Sequence, residues 1–266
     1  MDTDRSEFFF EARQVARRAG EIVREGFGSV HKIEFKGQID LVTDYDRKSE
    51  EHILSHLQDR FPRHSFHGEE SGLISGNSTT RYKWFIDPID GTTNFAHGVP
   101  FFAVSIALLE DGHPIIAVVF DPLRSELFAA VRGYNSTLNG EPIRVSTTSN
   151  LNNALLATGF PYDVRISEDN NLYQFNRLTR SCQGVRRLGS AALDLCYTAC
   201  GRLDGYWELR LHPWDMAAGG LIVQAAAGTT TDIDGAKDWL KTPSIVASNG
   251  HLHSQLLGTL TDRTAN

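Results

Sequence analysis

The sequence predicts an α/β fold of the α+β kind, and three observations carry that expectation. The chain opens on an amphipathic helical pattern. A block of apolar runs joined by short turns follows, which indicates an antiparallel or mixed sheet. The second half then alternates short apolar runs with helical stretches, as expected for helices packed on a further sheet. With 266 residues, 41% hydrophobic and 22% charged, the composition is that of an ordinary globular protein, long enough for one large domain or two small ones.

Residues 8–27 read as the first helix. Phe8, Val15, Ala19, Ile22 and Val23 recur at helical spacing, with Arg13, Arg17, Arg18, Glu21 and Arg24 on the other face, and Gly26 and Gly28 end the pattern. A loop begins at Lys36-Gly37, and 40–43 leads into a second helix, 46–59, opened by Asp46 and closed by Phe61-Pro62. Residues 64–67 suit a short strand before Gly68-Glu69-Glu70-Ser71, and the Gly-, Ser- and Thr-rich stretch 72–81 suits a flexible loop. The apolar runs 101–109 and 114–120 flank an Asp111-Gly112 turn, a strong hairpin signal. Glu126–Val131 is a further strand, and Asn139-Gly140 turns the chain again. The polar stretch 147–153 is the natural boundary between two sub-domains, about 1–146 and 147–266. Beyond it, 154–158, 203–207, 229–233 and 244–247 read as strands, and 170–181, 191–200, 216–226 and 251–260 as helices.

The chain is organised around 84–94, W-F-I-D-P-I-D-G-T-T-N. Trp84 to Ile86 look like the end of a buried strand. Pro88 has no backbone donor, so the ladder is expected to stop there. Asp90 and Gly91 suit a turn, and Thr92 and Thr93 carry hydroxyls on the way out. Two acids on one stiff turn repel, by roughly 4 kcal/mol at ~4 Å and an effective dielectric of ~20. A hard divalent cation relieves that, and all-oxygen ligands suit magnesium. Solvated acids on an Asp-Gly turn are the plainer alternative. Asp46 is open to a similar alternative, a helix cap, and Thr92 to that of a turn threonine bonded to its own backbone.

The net charge of −7 argues against nucleic acid as the main ligand. No apolar run approaches the ~18 residues of a membrane helix. The acidic, polar N-terminus lacks the features of a secretory signal. Three cysteines, Cys182, Cys196 and Cys200, read as buried structural thiols and suggest a reducing cytoplasm.

Four motifs now add to that reading. D-P-I-D-G-T-T-N-F at 87–95 resembles the signature of the inositol monophosphatase family of metal-dependent phosphatases, and H-P-W-D-M-A-A-G at 212–219 resembles its second signature. G-E-E-S at 68–71 and D-L-V-T-D-Y-D at 40–46 fit in the same order and spacing, so the likeness runs from about residue 8 to about 249. The resemblance implies a single catalytic domain, a layered αβαβα sandwich of the kind shared with fructose-1,6-bisphosphatase. It implies two or three Mg²⁺ ions held by Glu69, Asp87, the Ile89 carbonyl, Asp90 and Asp215. Thr92, with Asp46 behind it, would hold and deprotonate the attacking water, and Glu69 is counted with them as catalytic. Gly91, Thr92, Gly189, Ser190, Ala191, Glu208 and Asp215 would bind substrate, with Glu208 accepting from sugar-like hydroxyls; a strand-end surface charge is its alternative. Lys36 matches a loop lysine near the site. Arg186 and Arg187 could contact phosphate, line a subunit interface or be solvated. Lithium sensitivity and a homodimer are implied as well. The stretch 224–235, Q-A-A-A-G-T-T-T-D-I-D-G, departs from the family's commoner E-A-G-G pattern but carries no expected ligand.

The implied activity is magnesium-dependent hydrolysis of a phosphate monoester, with inositol monophosphate as the leading substrate. A sugar bisphosphate, a nucleoside 3′,5′-bisphosphate or histidinol phosphate would use the same chemistry. A regulatory binding protein on the same fold is the alternative of another class.

Overall fold

The computed structural model describes residues 3–29, 33–35, 41–76 and 80–261. Lys36 and Asp40 lie outside the described residues. Helix α1 (Thr3–Gly26) buries Phe8, Ala12, Val15, Ala16, Ala19 and Val23 along one stripe, the face its apolar spacing marks. Strands β1 (Ile33–Phe35) and β2 (Leu41–Thr43) form a small antiparallel ribbon that the sequence pattern did not reveal. Helix α2 (Asp44–Arg60) starts earlier than expected. Thr43 is its N-cap, and Asp46 closes a capping box from the third helical position rather than opening the helix.

The large sheet has eight strands in the order β10-β9-β8-β7-β6-β5-β3-β4. They are β3 (Ser65–Gly68), β4 (Gly72–Ile74), β5 (Tyr82–Asp90), β6 (Ala103–Glu110), β7 (His113–Asp121), β8 (Glu126–Val131), β9 (Thr137–Leu138) and β10 (Glu141–Pro142). Strand β4 takes up the start of the stretch expected to be a flexible loop, because Leu73 and Ile74 pair back onto β3. A second correction concerns β5. The strand does not end at Pro88 but runs on to Asp90, with a register shift between Asp87 and Asp90. The proline sits in that bulge, where a missing donor costs the ladder nothing. Between β6 and β7, Asp111 and Gly112 both have positive φ, 51° and 80°, the conformation of a tight two-residue hairpin. Successive residues of the central strands enter different cores. Trp84, Ile86, Ile106 and Val118 face α1 and α2, while Phe85, Ala107, Ala117 and Phe128 face the middle of the molecule. Both faces are covered, which is why these strands read as continuous apolar runs.

The second sheet has five strands, β11 (Leu155–Thr158), β12 (Gly184–Arg186), β13 (Gly205–Leu209), β14 (Thr229–Thr231) and β15 (Ser244–Ser248), in the order β12-β11-β13-β15-β14. Strand β12 was not foreseen. Helices α5 (Ala191–Ala199) and α6 (Pro213–Ala225) lie between the two sheets, and α4 (Leu172–Thr179) and α7 (His253–Thr261) cover the outer face of the second. One further short helix, α3 (Thr92–Ala96), follows β5 directly. The layers are therefore α1 and α2, the eight-stranded sheet, α5 and α6, the five-stranded sheet, then α4 and α7. That is the αβαβα sandwich. No described helix is long and apolar enough to cross a membrane.

Candidate active site

The bulge at the end of β5 determines which way its two acids point. Asp87 still pairs in register with Ser105, whereas Asp90 has shifted to face Ala103. Asp87 is 2% exposed, and its Oδ1 accepts from the Ile89 N–H at 3.0 Å. Gly91 then takes a φ of 102°, and an added Cβ would lie 3.0 Å from the Gly189 carbonyl oxygen and 3.1 Å from that of Phe101. Both the backbone angle and the space demand glycine there. The turn delivers Thr92 to the start of α3, where it is buried. Its Oγ1 lies 2.9 Å from Asp46 Oδ1 and 2.9 Å from the Ile89 carbonyl oxygen. Asp46 is fully buried, and its other oxygen accepts from the Thr43 N–H at 2.8 Å and the Thr43 hydroxyl at 2.6 Å. Capping the helix and backing Thr92 are thus one arrangement, because each task uses a different carboxylate oxygen.

Asp90 reaches across to the second half of the chain. Its carboxylate accepts from the Ser190 hydroxyl at 2.6 Å, the Ala192 N–H at 2.6 Å and the Ala191 N–H at 3.3 Å, at the N-terminus of α5. The 189–191 loop, expected to line the substrate pocket, therefore also holds this acid. Asn94 adds a second tie, donating to the carbonyls of Phe101 and Leu188 at 2.8 Å each. Asp215 stands at the third position of α6, not ahead of the helix, and its carboxylate accepts from the His212 N–H at 2.7 Å. Glu69 follows β3 and donates its N–H to the Ile86 carbonyl at 3.1 Å.

Every expected site residue except Asp46 lines one cavity of about 280 Å³ between the two sheets, and Asp46 lies behind it against Thr92. Burial pushes Asp87 well above the usual carboxylate range. The charges acting on it, from Glu69, then Asp90, Asp215 and Asp46, all push the same way. Asp215 is raised by burial and then by Asp90 and Glu69, against the opposing His212 N–H. Asp90 rises to about 6 through burial, held back by its Ser190, Ala192 and Ala191 donors. Buried oxygens that raise one another in this way are the donor chemistry a hard divalent cation fits. Among the described residues, no three acidic, histidine or cysteine side chains are already closed into a metal cage.

Glu208 lies within β13, which runs to Leu209, so it is not at a strand end. Its side chain faces the cavity in space left by Gly159, where an added Cβ would fall within 2.1 Å of its carboxylate. Burial raises Glu208 to about 7, opposed by the Tyr206 hydroxyl that donates to it and by Arg187.

Four contributors escaped the sequence reading. Glu50, 3% exposed, accepts from the N–H groups of Glu70 at 3.0 Å and Ser71 at 2.7 Å, and so holds the turn that carries Glu69. It lies four residues after Asp46, on the same face of α2, and that spacing could have revealed it. Asp194 and Gly159 line the cavity, and no motif marks either. Trp214 lies at the cavity wall, stacked on His212 with ring centroids 4.6 Å apart. Arg187 lines the same cavity, whereas Arg186 does not.

Two sheets sandwiching a helical layer, with an acid-lined cavity where a bulged strand meets two helix starts, are the fold and site of a metal-using phosphatase. The profile of the Inositol monophosphatase family matches residues 4–265. The chain is 47% identical over 246 residues to the inositol-1-monophosphatase of Synechocystis sp., covering 92% of this chain and 85% of that one. It is 45% identical over 257 residues to the Nus factor SuhB of Pseudomonas aeruginosa, covering 94% of each. Among solved structures, the extragenic suppressor protein suhB of Bartonella henselae superposes with a TM-score of 0.90 at 37% identity, covering 97% of this chain and 99% of that one. The chain belongs to the inositol monophosphatase family.

Proposed function

We propose that this phosphatase hydrolyses inositol monophosphate to inositol and phosphate, with magnesium as its metal. The observation that supports the reading most is the meeting of Glu69, Asp87, Asp90 and Asp215 with Thr92 and Glu208 on one cavity. Glu69, Asp87, Asp90, Asp215 and the Ile89 carbonyl would hold two or three magnesium ions, which supply charge for the phosphoryl oxygens and the leaving alkoxide. The N–H groups of Gly91 and Thr92 bind the phosphate, as successive amides of a tight turn do. Thr92 orients the attacking water: as Thr92 gives its proton to Asp46 Oδ1, its oxygen takes one from the water. Glu208 accepts from hydroxyls of the leaving polyol and repels a second phosphate placed beside it, which disfavours bisphosphate substrates.

On this reading 1–146 is the metal-binding half and 147–266 the specificity half of one catalytic domain, and Asp90 and Asn94 are among the ties between them. Lithium inhibition and a homodimer follow from the family likeness. A cytoplasmic setting is supported by the free thiols of Cys182, Cys196 and Cys200. A regulatory binding role on the same fold is the second reading, favoured by the name Nus factor SuhB carried by a relative of 45% identity. The test is a panel of phosphate esters, assayed with magnesium and with chelator. Inositol 1-phosphate should be the best substrate and depend wholly on the metal. A clear preference for a bisphosphate or histidinol phosphate would replace the substrate, and no turnover of any ester would favour the binding role.

A further inference from the structure

Helix α5 carries an acid that none of the proposed roles uses. Asp194 is 1% exposed, yet it lines the same cavity as Glu208. Its Oδ1 is buried without a hydrogen-bond partner among the described residues, an arrangement that calls for an explanation. Service to the helix N-terminus does not supply one. Asp90 already accepts from the N–H groups of Ala191 and Ala192, and the Ser190 hydroxyl accepts from that of Leu193. Burial, and then the charges of Glu208 and Asp90, push Asp194 well above the usual carboxylate range, with Arg187 opposing them. A buried carboxylate with an unpaired oxygen, beside a second carboxylate and on the wall of a polar cavity, is built to receive donors from a ligand.

We propose that Asp194 is a second specificity-determining carboxylate of the leaving-group pocket. Together with Glu208 it accepts from two separate hydroxyls of the alcohol that leaves. The substrate class this selects is the phosphate monoester of a neutral polyol with at least two free hydroxyls. Esters of alcohols without hydroxyls leave Asp194 Oδ1 buried and unpaired, and esters bearing a further anion bring their charge against two buried acids. The inference rests on the phosphatase reading above and deepens it.

The test uses Asp194→Asn, which keeps the shape, and Asp194→Leu, which keeps neither charge nor acceptor. With magnesium, kcat/KM is measured for inositol 1-phosphate and for phenyl phosphate, and the ratio of the two is compared with that of the unaltered protein. The ratio should fall by about tenfold or more in both variants. Removing a buried acid that faces Glu208 and Asp90 should also raise the melting temperature of Asp194→Asn in chelator, by roughly 2 °C or more. A ratio within about twofold of the unaltered protein's in both variants overturns the inference and leaves the phosphatase reading standing. If Asp194→Asn also melts lower, the acid is an ordinary first-turn helix residue. Failure of the unaltered protein to hydrolyse either ester overturns inference and reading together.

Discussion

The Thr92 hydroxyl lies 2.9 Å from both Asp46 Oδ1 and the Ile89 carbonyl oxygen, the geometry on which its proposed part in orienting the water rests. Thr92→Ala removes the proposed proton path but none of the carboxylates, so kcat should fall by about 10²–10⁴-fold with magnesium binding largely kept. Thr92→Ser should recover most of the loss. A loss below about threefold in Thr92→Ala would return the residue to the role of a turn threonine. The role proposed for Glu208 bears on another quantity. In Glu208→Gln one oxygen becomes a donor and the charge is lost, so the ratio of kcat/KM for inositol 1-phosphate to that for phenyl phosphate should fall by an amount equivalent to about 1–3 kcal/mol. Equal losses on both esters would mean that Glu208 supports the fold or the metal site and does not select the alcohol.

At the scale of elements, the turn 68–71 depends on α2. Glu50 accepts two of its backbone N–H groups, and an added Cβ at Gly68 would lie 2.4 Å from a Glu50 oxygen. Glu50→Ala should therefore weaken magnesium binding by about 10- to 100-fold, the scale of lost support behind a ligand. Magnesium-dependent protection against thermal unfolding measures it, and an unchanged midpoint would show that Glu69 needs no such support. The same elements show what the sequence disclosed and what it could not. The hairpin at Asp111-Gly112 and the stripe of α1 were legible because turn chemistry and helical spacing are local. The motif acids were legible because they stand in contiguous stretches. The pairing of β4 with β3 is local too, but the Gly, Ser and Thr residues around Leu73 and Ile74 hid it. The bulge at Pro88 and the cap that Asp90 places on α5 were not legible, because each depends on a partner further along the chain. Asp194 and Gly159 were hidden for the same reason, since their part in the cavity exists only once β11, β13 and α5 have come together.

For the whole molecule, the concentration of acids between the two sheets sets how stability depends on pH. Burial raises Asp90 to about 6 and Glu208 to about 7. Such carboxyls hold protons more tightly folded than unfolded. Their contribution is favourable below the unfolded value of about 4 and is lost as pH rises through about 6–7. Magnesium binds the charged forms, so its protection should grow from pH 5 to pH 8. Taking the difference between melting temperatures in magnesium and in chelator removes the opposite effect of His64, which burial lowers to about 4. At magnesium about 100-fold above its dissociation constant the gain corresponds to about 2.7 kcal/mol, or roughly 5–10 °C. A gain that shrinks toward pH 8 would place the cation away from these acids.

The central claim is that Glu69, Asp87, Asp90 and Asp215 form one metal site that drives phosphate ester hydrolysis. It is tested most directly by titrating magnesium into the unaltered protein and into Asp90→Asn while measuring phosphate release from inositol 1-phosphate. The unaltered protein should go from inactive in chelator to fully active with magnesium. Asp90→Asn should stay folded and lose most of its turnover at any ordinary magnesium concentration, because an amide brings no charge to the cation. Near-normal turnover in Asp90→Asn, or equal activity of the unaltered protein in chelator and in magnesium, would contradict the account.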